Sequence, residues 1–241
     1  MRIARLHLAP ALSLIWCMAS IAHGQLQQEQ AAKIPLMRQL YVQDQRDRGV
    51  LLSDSGEAIK PDTGAKPPER PQGNTMLVRD AERRKKVHSL LADGLVVTAQ
   101  DFHDAAFIFQ HGDIPDDYLL AHILAIEAVV KGDTSSKWIA AATLDRYLQS
   151  IGQKQVFGTQ YLNEQYLYYL QHSKDADLAE KIKTIATDVT QQPYNDQLMP
   201  DALRADFCVP ELKRQAAAVQ EANSSKDHSI VIPTSPAGCG R

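Results

Sequence analysis

TAQDFHDAAFIFQHGDIPDDYLLAHILAIEAVVKGDTSSKWIAAATLDRYLQSIG, residues 98–152, holds three apolar runs at helical spacing, separated by breaks that each contain a glycine. Phe102, Ala105, Ala106 and Phe109 mark the first run, which His111-Gly112-Asp113 ends. Leu119, Leu120, Ile123, Ile126 and Val130 mark the second, which Gly132 stops; Trp138, Ala141, Ala142, Leu144, Tyr147 and Leu148 mark the third, up to Ile151-Gly152. Steps of three and four residues place each set on one helical face. Asp113 is suited to cap the second helix, with Pro115 in its first turn and Asp116 and Asp117 favourable against the dipole. Thr134 or Ser135 is suited to cap the third. Helices joined by such short turns must reverse direction, and Ala121, Ala125, Ala128 and Ala140 to Ala142 let neighbours approach closely. The expected fold is therefore all-α, built mainly of antiparallel helical hairpins.

The pattern extends in both directions. Upstream, Leu77, Ala81, Arg84, Val87, His88 and Leu91 predict a further helix from Thr75, stopped at Asp93-Gly94, with Arg83-Arg84-Lys85-Lys86 on its solvated face. Residues 51–74 carry Pro61, Pro67, Pro68 and Pro71 among glycines and read as a loop or linker. Residues 25–50 form an N-terminal helix with Leu36, Leu40 and Tyr41 on one face, closed by Gly49. Downstream the pattern loosens: Tyr161 to Leu170 could extend the helical part, Ile182 to Val189 could form a strand, and Pro210 opens a last amphipathic helix to about Ala222. The helical domain is thus expected over 75–222, and the polar tail 223–241 is expected to be disordered.

Met1 to Gly24 has the form of a secretory signal peptide, with Arg2 and Arg5 before an apolar run and small residues at Ala22 and Gly24 for cleavage. The apolar run is too short for a span of roughly 20 residues, and no membrane span is expected once it is removed. This places the protein in the periplasm or outside a bacterial cell. Loss of the two arginines takes the net charge from −3 to −5, which argues against a nucleic-acid partner. Only two cysteines then remain, Cys208 and Cys239, and an exported pair is compatible with one disulfide.

Four segments resemble a bacterial family known only as a domain of unknown function. Asp44-Gln45 with Arg48 is similar to its DQxxR element, and Asp145-Arg146 with Gln155-Val156-Phe157-Gly158-Thr159-Gln160 is similar to its DR…QxxGTQ signature. The His111-Gly112-Asp113 junction and Pro200-Asp201-Ala202-Leu203-Arg204…Val209-Pro210 complete the likeness, which covers most of residues 40–220. The helix pairs also resemble tetratricopeptide or Sel1-like hairpins, without a clean repeat period. The resemblance implies a fold and points to a location for a site, but it implies no reaction.

Three constellations could carry chemistry. The loop formed by Gln155, Phe157, Gly158, Thr159 and Gln160 offers two amides, a hydroxyl and a glycine for close approach. It could bind a polar ligand or a peptide backbone, or its glutamines could tie neighbouring helix ends while Phe157 plugs the core. Arg48, Asp145 and Arg146 could clamp an anionic group or pin the N-terminal helix. His103, His111 and His122, with Asp113, could hold a divalent metal such as zinc, although no HExxH or CxxC spacing supports it. No GxSxG, Walker or GxGxxG motif occurs. The expected function is therefore a non-catalytic, cofactor-free helical module that binds a peptide, a protein or a cell-envelope component. A metal-dependent hydrolase using histidines of residues 88–122 is the alternative.

Overall fold

Short turns between long helices fix the architecture. The computed structural model describes residues 36–60, 64–72, 74–163, 177–184 and 188–225. The expected signal peptide, the start of the N-terminal helix and nearly all of the expected tail lie outside those residues. The described helices are α1 (36–47), α2 (Thr75–Ala92), α3 (Ala99–Phe109), α4 (Pro115–Val130), α5 (Lys137–Ser150), α6 (Leu178–Lys181), α7 (Asp201–Asp206) and α8 (Leu212–Ser224). The protein is mainly helical, as expected. No helix among the described residues is long and apolar enough to cross a membrane.

Helix boundaries follow local chemistry. Thr98 and Asp101 form a reciprocal capping box at the start of α3, the Thr98 hydroxyl accepting from the Asp101 amide and the Asp101 carboxylate from the Thr98 amide. Pro115 opens α4, but the residue before it is Ile114, without a side-chain cap. Asp113 does not cap: its carboxylate pairs with Arg84 instead. A single 3-10 turn at Thr134–Ser136, capped by Asp133, leads into α5. Gly94, Gly132 and Gly152, at the helix ends, take the left-handed conformation that stops a helix.

Helices α3, α4 and α5 pack in series, each against the next, with α4 in the middle. Ala121, Leu124, Ala125 and Ala128 form the buried stripe of α4, and Ile139 to Ala142 the buried part of α5. The main core joins Ala121, Leu124, Ala125, Ile139 and Ala140 to Val87, Leu90, Ile108 and Phe109, with Met37 and Leu40 from α1. A smaller core holds Ala141, Phe157 and Val209.

Three expected faces differ from those observed. On α4 the expected Ile123, Ile126 and Val130 are 54%, 38% and 74% exposed, and the helix instead buries Leu124 with Ala121, Ala125 and Ala128, whose small side chains admit the neighbouring helices. Leu77 is 60% exposed and Leu36 40%, while α2 buries Asp80, Arg83, Arg84, Val87 and Leu90. Arg83 and Arg84 are therefore not on a solvated face. The α1–α2 contact includes a row of ion pairs beside the apolar residues Met37, Leu40, Val87 and Leu90, and a search for apolar periodicity misses the charged part. In the C-terminal part, Ile182–Thr184 is a 3-10 turn rather than strand, and among the described residues of the expected strand Val189 pairs, Val189–Thr190 running antiparallel to Leu162–Asn163 with Leu162 opposite Thr190. Cys208 is disulfide-bonded; its partner, like Cys239, lies outside the described residues.

Candidate functional site

Asp145 organises the loop that the sequence singled out. It sits fully buried on α5, and its Oδ1 accepts the amides of Val156 at 2.7 Å and Phe157 at 3.0 Å. Its Oδ2 accepts the Thr159 amide at 2.9 Å and the Thr159 hydroxyl at 2.8 Å. Burial raises the carboxyl above its ordinary range against the pull of these four donors. The backbone thus wraps around one carboxylate, and Phe157 drops into the smaller core with its ring 5.0 Å from that of Phe207.

The two glutamines are spent inside the protein. Gln155 Nε2 donates to the Gln160 carbonyl at 3.0 Å and to the Gln191 carbonyl, while its Oε1 accepts the Gln160 amide. Gln160 Nε2 donates to the Ala142 carbonyl and the Thr159 hydroxyl, and its Oε1 accepts from Arg146 Nε and Nη2, all four at 3.1 Å. Arg146 Nη1 reaches the Gln110 carbonyl at 2.6 Å. Gln155, Phe157, Gly158, Gln160 and Asp145 are buried and Thr159 and Arg146 half-buried, and the polar side chains of this expected binding set are bonded within the protein.

Residues that sequence reasoning missed pack on the loop from the other side. Gly158 has φ +75°, and a Cβ there would collide with Gln215 Oε1 and the Tyr194 hydroxyl. The Phe157 carbonyl accepts from Arg204 Nη1 at 2.6 Å and Gln215 Nε2 at 3.0 Å, with the Tyr194 hydroxyl at 3.1 Å. Gln191 Nε2 donates to the Gly158 carbonyl and to Gln215 Oε1. Burial pushes the Tyr194 phenol up to about 12, against the pull of Arg204. Of these four residues only Arg204 lay in a segment the resemblance picks out; nothing in the spacing of Gln191, Tyr194 or Gln215 announces them.

The outer side of this assembly is open. Residues 190–196 and α8 enclose a groove of about 490 Å³. One stripe of α8, Leu212, Ala216 and Val219, supplies apolar lining, and Tyr194, Gln192 and Asp196 face it from the opposite segment. Lys213 is exposed at this groove and makes no ion pair among the described residues.

Arg48 belongs to a separate network. Its Nη1 meets Asp44 Oδ1 and its Nη2 Asp80 Oδ2, both at 2.9 Å. Arg83 binds Asp80 at 2.6 Å and Asp47 at 2.8 Å, and Gln45 donates to Asp44. Burial works to raise the Asp80 carboxyl, but hydrogen bonds from Arg48 and Arg83 outweigh it and hold it below its usual range. The DQxxR residues thus pin α1 to α2, and Arg48 does not join Asp145 and Arg146 in one clamp.

The histidines do not converge. His103 Nδ1 lies 2.8 Å from Ser136 Oγ and 3.1 Å from Asp133 Oδ2. His111 Nδ1 lies 3.2 Å from Asp44 Oδ2, and His122 Nδ1 lies 2.9 Å from the Ala140 carbonyl. Asp113 is held by Arg84. Burial keeps His103 and His111 below their ordinary pKa, despite their carboxylate neighbours. Among the described residues no group of three His, Cys, Asp or Glu side chains is placed to hold a metal ion. The metal set of His103, His111, His122 and Asp113 is therefore not assembled. Comparison with family models, curated proteins and solved structures finds no match to this chain.

Proposed function

We propose that the protein is an exported, non-catalytic helical binding module of a bacterial periplasm or cell exterior, whose ligand is an extended peptide or protein segment. The observation that carries this reading is the groove between α8 and residues 190–196. Its apolar stripe would take alternate side chains of an extended chain, with Gln192 and Asp196 available to polar backbone groups. The exposed ammonium of Lys213, without an ion pair among the described residues, favours a segment bearing a carboxylate. The Gln155–Gln160 loop serves this function indirectly, by holding Gln191 and Tyr194 in place from beneath. Cys208 supports export, because structural disulfides persist in oxidising compartments. The resemblance to a bacterial family of unknown function is consistent with this reading and adds no reaction to it.

The test is selection of random heptapeptides displayed on phage, followed by fluorescence anisotropy of the synthetic hits. Ala216→Trp fills the groove from an exposed position and should lower affinity at least tenfold without moving the melting temperature. Lys213→Glu should weaken acidic peptides selectively. Failure to select any peptide, or affinities indifferent to Ala216→Trp, would end this reading.

A further inference from the structure

A second concave surface lies between α1 and α2, a pocket of about 400 Å³ that shares no residue with the α8 groove. Arg79, Glu82, Arg83 and Lys86 line it from α2, at steps of three, one and three that set them on one helical face. Arg46 and Asp47 line it from α1, beside Gln43. Four cations against Asp47 and Glu82 leave the pocket a surplus of two positive charges.

The internal carboxylates do not saturate these cations. Asp47 accepts from Arg79 Nη1 and Arg83 Nη1, both at 2.8 Å, and Asp80 takes Arg83 Nη2. Arg83 Nε is buried without a hydrogen-bond partner, 3.6 Å from Asp44 Oδ1. Arg46 gives Nε and Nη2 to the Leu52 carbonyl and Nη2 also to Asp54. Asp54 is 97% exposed, so solvent screens that pair and it exchanges readily. Arg46 Nη1 and Arg79 Nη2 have no acceptor among the described residues. Lys86 and Glu82 are exposed and four residues apart, yet neither makes an ion pair there.

We propose that this pocket binds a phosphate monoester carried on a small hydroxylated body. Such a group bears close to two negative charges at neutral pH, which matches the surplus. Its three terminal oxygens give separate acceptors to Arg46, Arg79 and Lys86, whereas a carboxylate brings one charge and two oxygens. Arg83, fixed by Asp47 and Asp80, supplies a rigid positive wall. The volume exceeds that of bare phosphate, and the wholly polar side chains around it favour a hydroxylated body over an apolar one. Glu82 opposes the anion and sets an upper bound on its affinity. The same monoester occurs on a free metabolite and on a lipid headgroup, and the two are separable by experiment.

Isothermal titration calorimetry of the purified protein at low ionic strength, where screening is least, tests the proposal with glycerol phosphate, glycerol and glycerate. Glycerol phosphate should bind saturably, glycerol not at all, and glycerate about fivefold more weakly. Lys86→Gln should weaken glycerol phosphate about fivefold and Glu82→Gln should strengthen it about threefold. Both positions are exposed, so the melting temperature of each variant should match wild type. Ala216→Trp, in the α8 groove, should leave this affinity unchanged. Flotation with phosphatidic acid vesicles identifies the source: binding to vesicles but not to glycerol phosphate, lost in Lys86→Gln, keeps the monoester site and assigns it to a lipid headgroup. Failure of both probes, equal affinity for glycerate, or affinities indifferent to Lys86→Gln and Glu82→Gln would overturn the proposal.

Discussion

Removing the Asp145 carboxylate should cost more than any other single truncation in the C-terminal half. Asp145→Ala deletes four hydrogen bonds and leaves the amides of Val156, Phe157 and Thr159 without their acceptor. Hydrogen bonds to a charged group contribute about 1.5–3 kcal/mol each, and an orphaned buried donor costs about 1–3 kcal/mol. The Phe157 amide is fully enclosed, so it should carry the full penalty, while the Val156 and Thr159 amides can recruit water in part. A loss of about 4–6 kcal/mol follows, a large share of the roughly 5–15 kcal/mol by which domains are stable. Asp145→Asn keeps one oxygen for Val156 and Phe157 but turns an N–H₂ group toward the Thr159 amide, donor against donor. That arrangement should cost about 2–3 kcal/mol. Thr159→Val removes one hydroxyl bond and should cost about 1 kcal/mol. Urea denaturation followed by circular dichroism measures all three variants. An Asp145→Ala cost below about 1 kcal/mol, or Asp145→Asn being worse than Asp145→Ala, would refute the idea that this carboxylate organises the loop.

Gly158→Ala should cost about 3 kcal/mol or more, because it adds a side chain at positive φ and into Gln215 and Tyr194; a melting temperature within a degree of wild type would contradict this. Burial pushes the Asp104 carboxyl up to about 7 even though Arg38 and Gln100 donate to it. The folded state therefore keeps this proton above pH 3.8, where the unfolded chain releases it, and stability falls as pH rises toward 7. Asp104→Asn should remove that component, so denaturation at pH 4.5 and pH 8 should show the variant gaining on wild type with pH, by as much as ~3 kcal/mol; parallel profiles would disprove it. Reduction with dithiothreitol should destabilise the protein by about 2–4 kcal/mol and leave Cys208→Ser unaffected, and a melt indifferent to reductant would mean that Cys208 contributes no cross-link in solution.

The helical hairpins were legible in the sequence because their cores are apolar and their ends are punctuated. Ala105, Ala106 and Phe109 sit in the core where their spacing places them, and Gly94, Gly132 and Gly152 stop their helices, whereas the expected face of α4 through Ile123, Ile126 and Val130 is exposed. The α1 and α2 faces were only partly legible: Leu40 and Val87 are buried as their spacing places them, but Asp44, Asp47, Asp80 and Arg83 are buried beside them. Paired charges bury as well as leucine does, but hydropathy counts them as solvent-facing, so Leu77 was assigned inward and points out. The loop at Gln155–Gln160 stood out in the sequence, yet its orientation did not. An amide that holds its own protein together and an amide that awaits a ligand have the same signature along the chain. The difference is decided by Gln191, Tyr194, Arg204 and Gln215, which arrive from more than thirty residues away.

The two motifs with family-like spacing turn out to be one piece of internal construction. Arg146 donates to the Gln110 carbonyl, and the next residue, His111, faces Asp44. The end of α3 therefore couples the network of Asp44, Arg48, Asp80 and Arg83 to that of Asp145, Arg146 and Gln160. A buried ion pair is often no more stabilising than apolar residues of the same shape, while removing one partner costs about 3–5 kcal/mol. Side chains of this kind resist single substitutions, so they form recognisable motifs without touching a ligand. Open concave surface on this protein includes the α8 groove and a pocket of about 400 Å³ beside the α1–α2 network, lined by Arg46, Asp47, Arg79 and Arg83 among others. The polar side chains of Asp44, Gln45, Arg48, Gln155 and Gln160 are bonded within the protein, so these two elements by themselves mark interior construction rather than a binding surface.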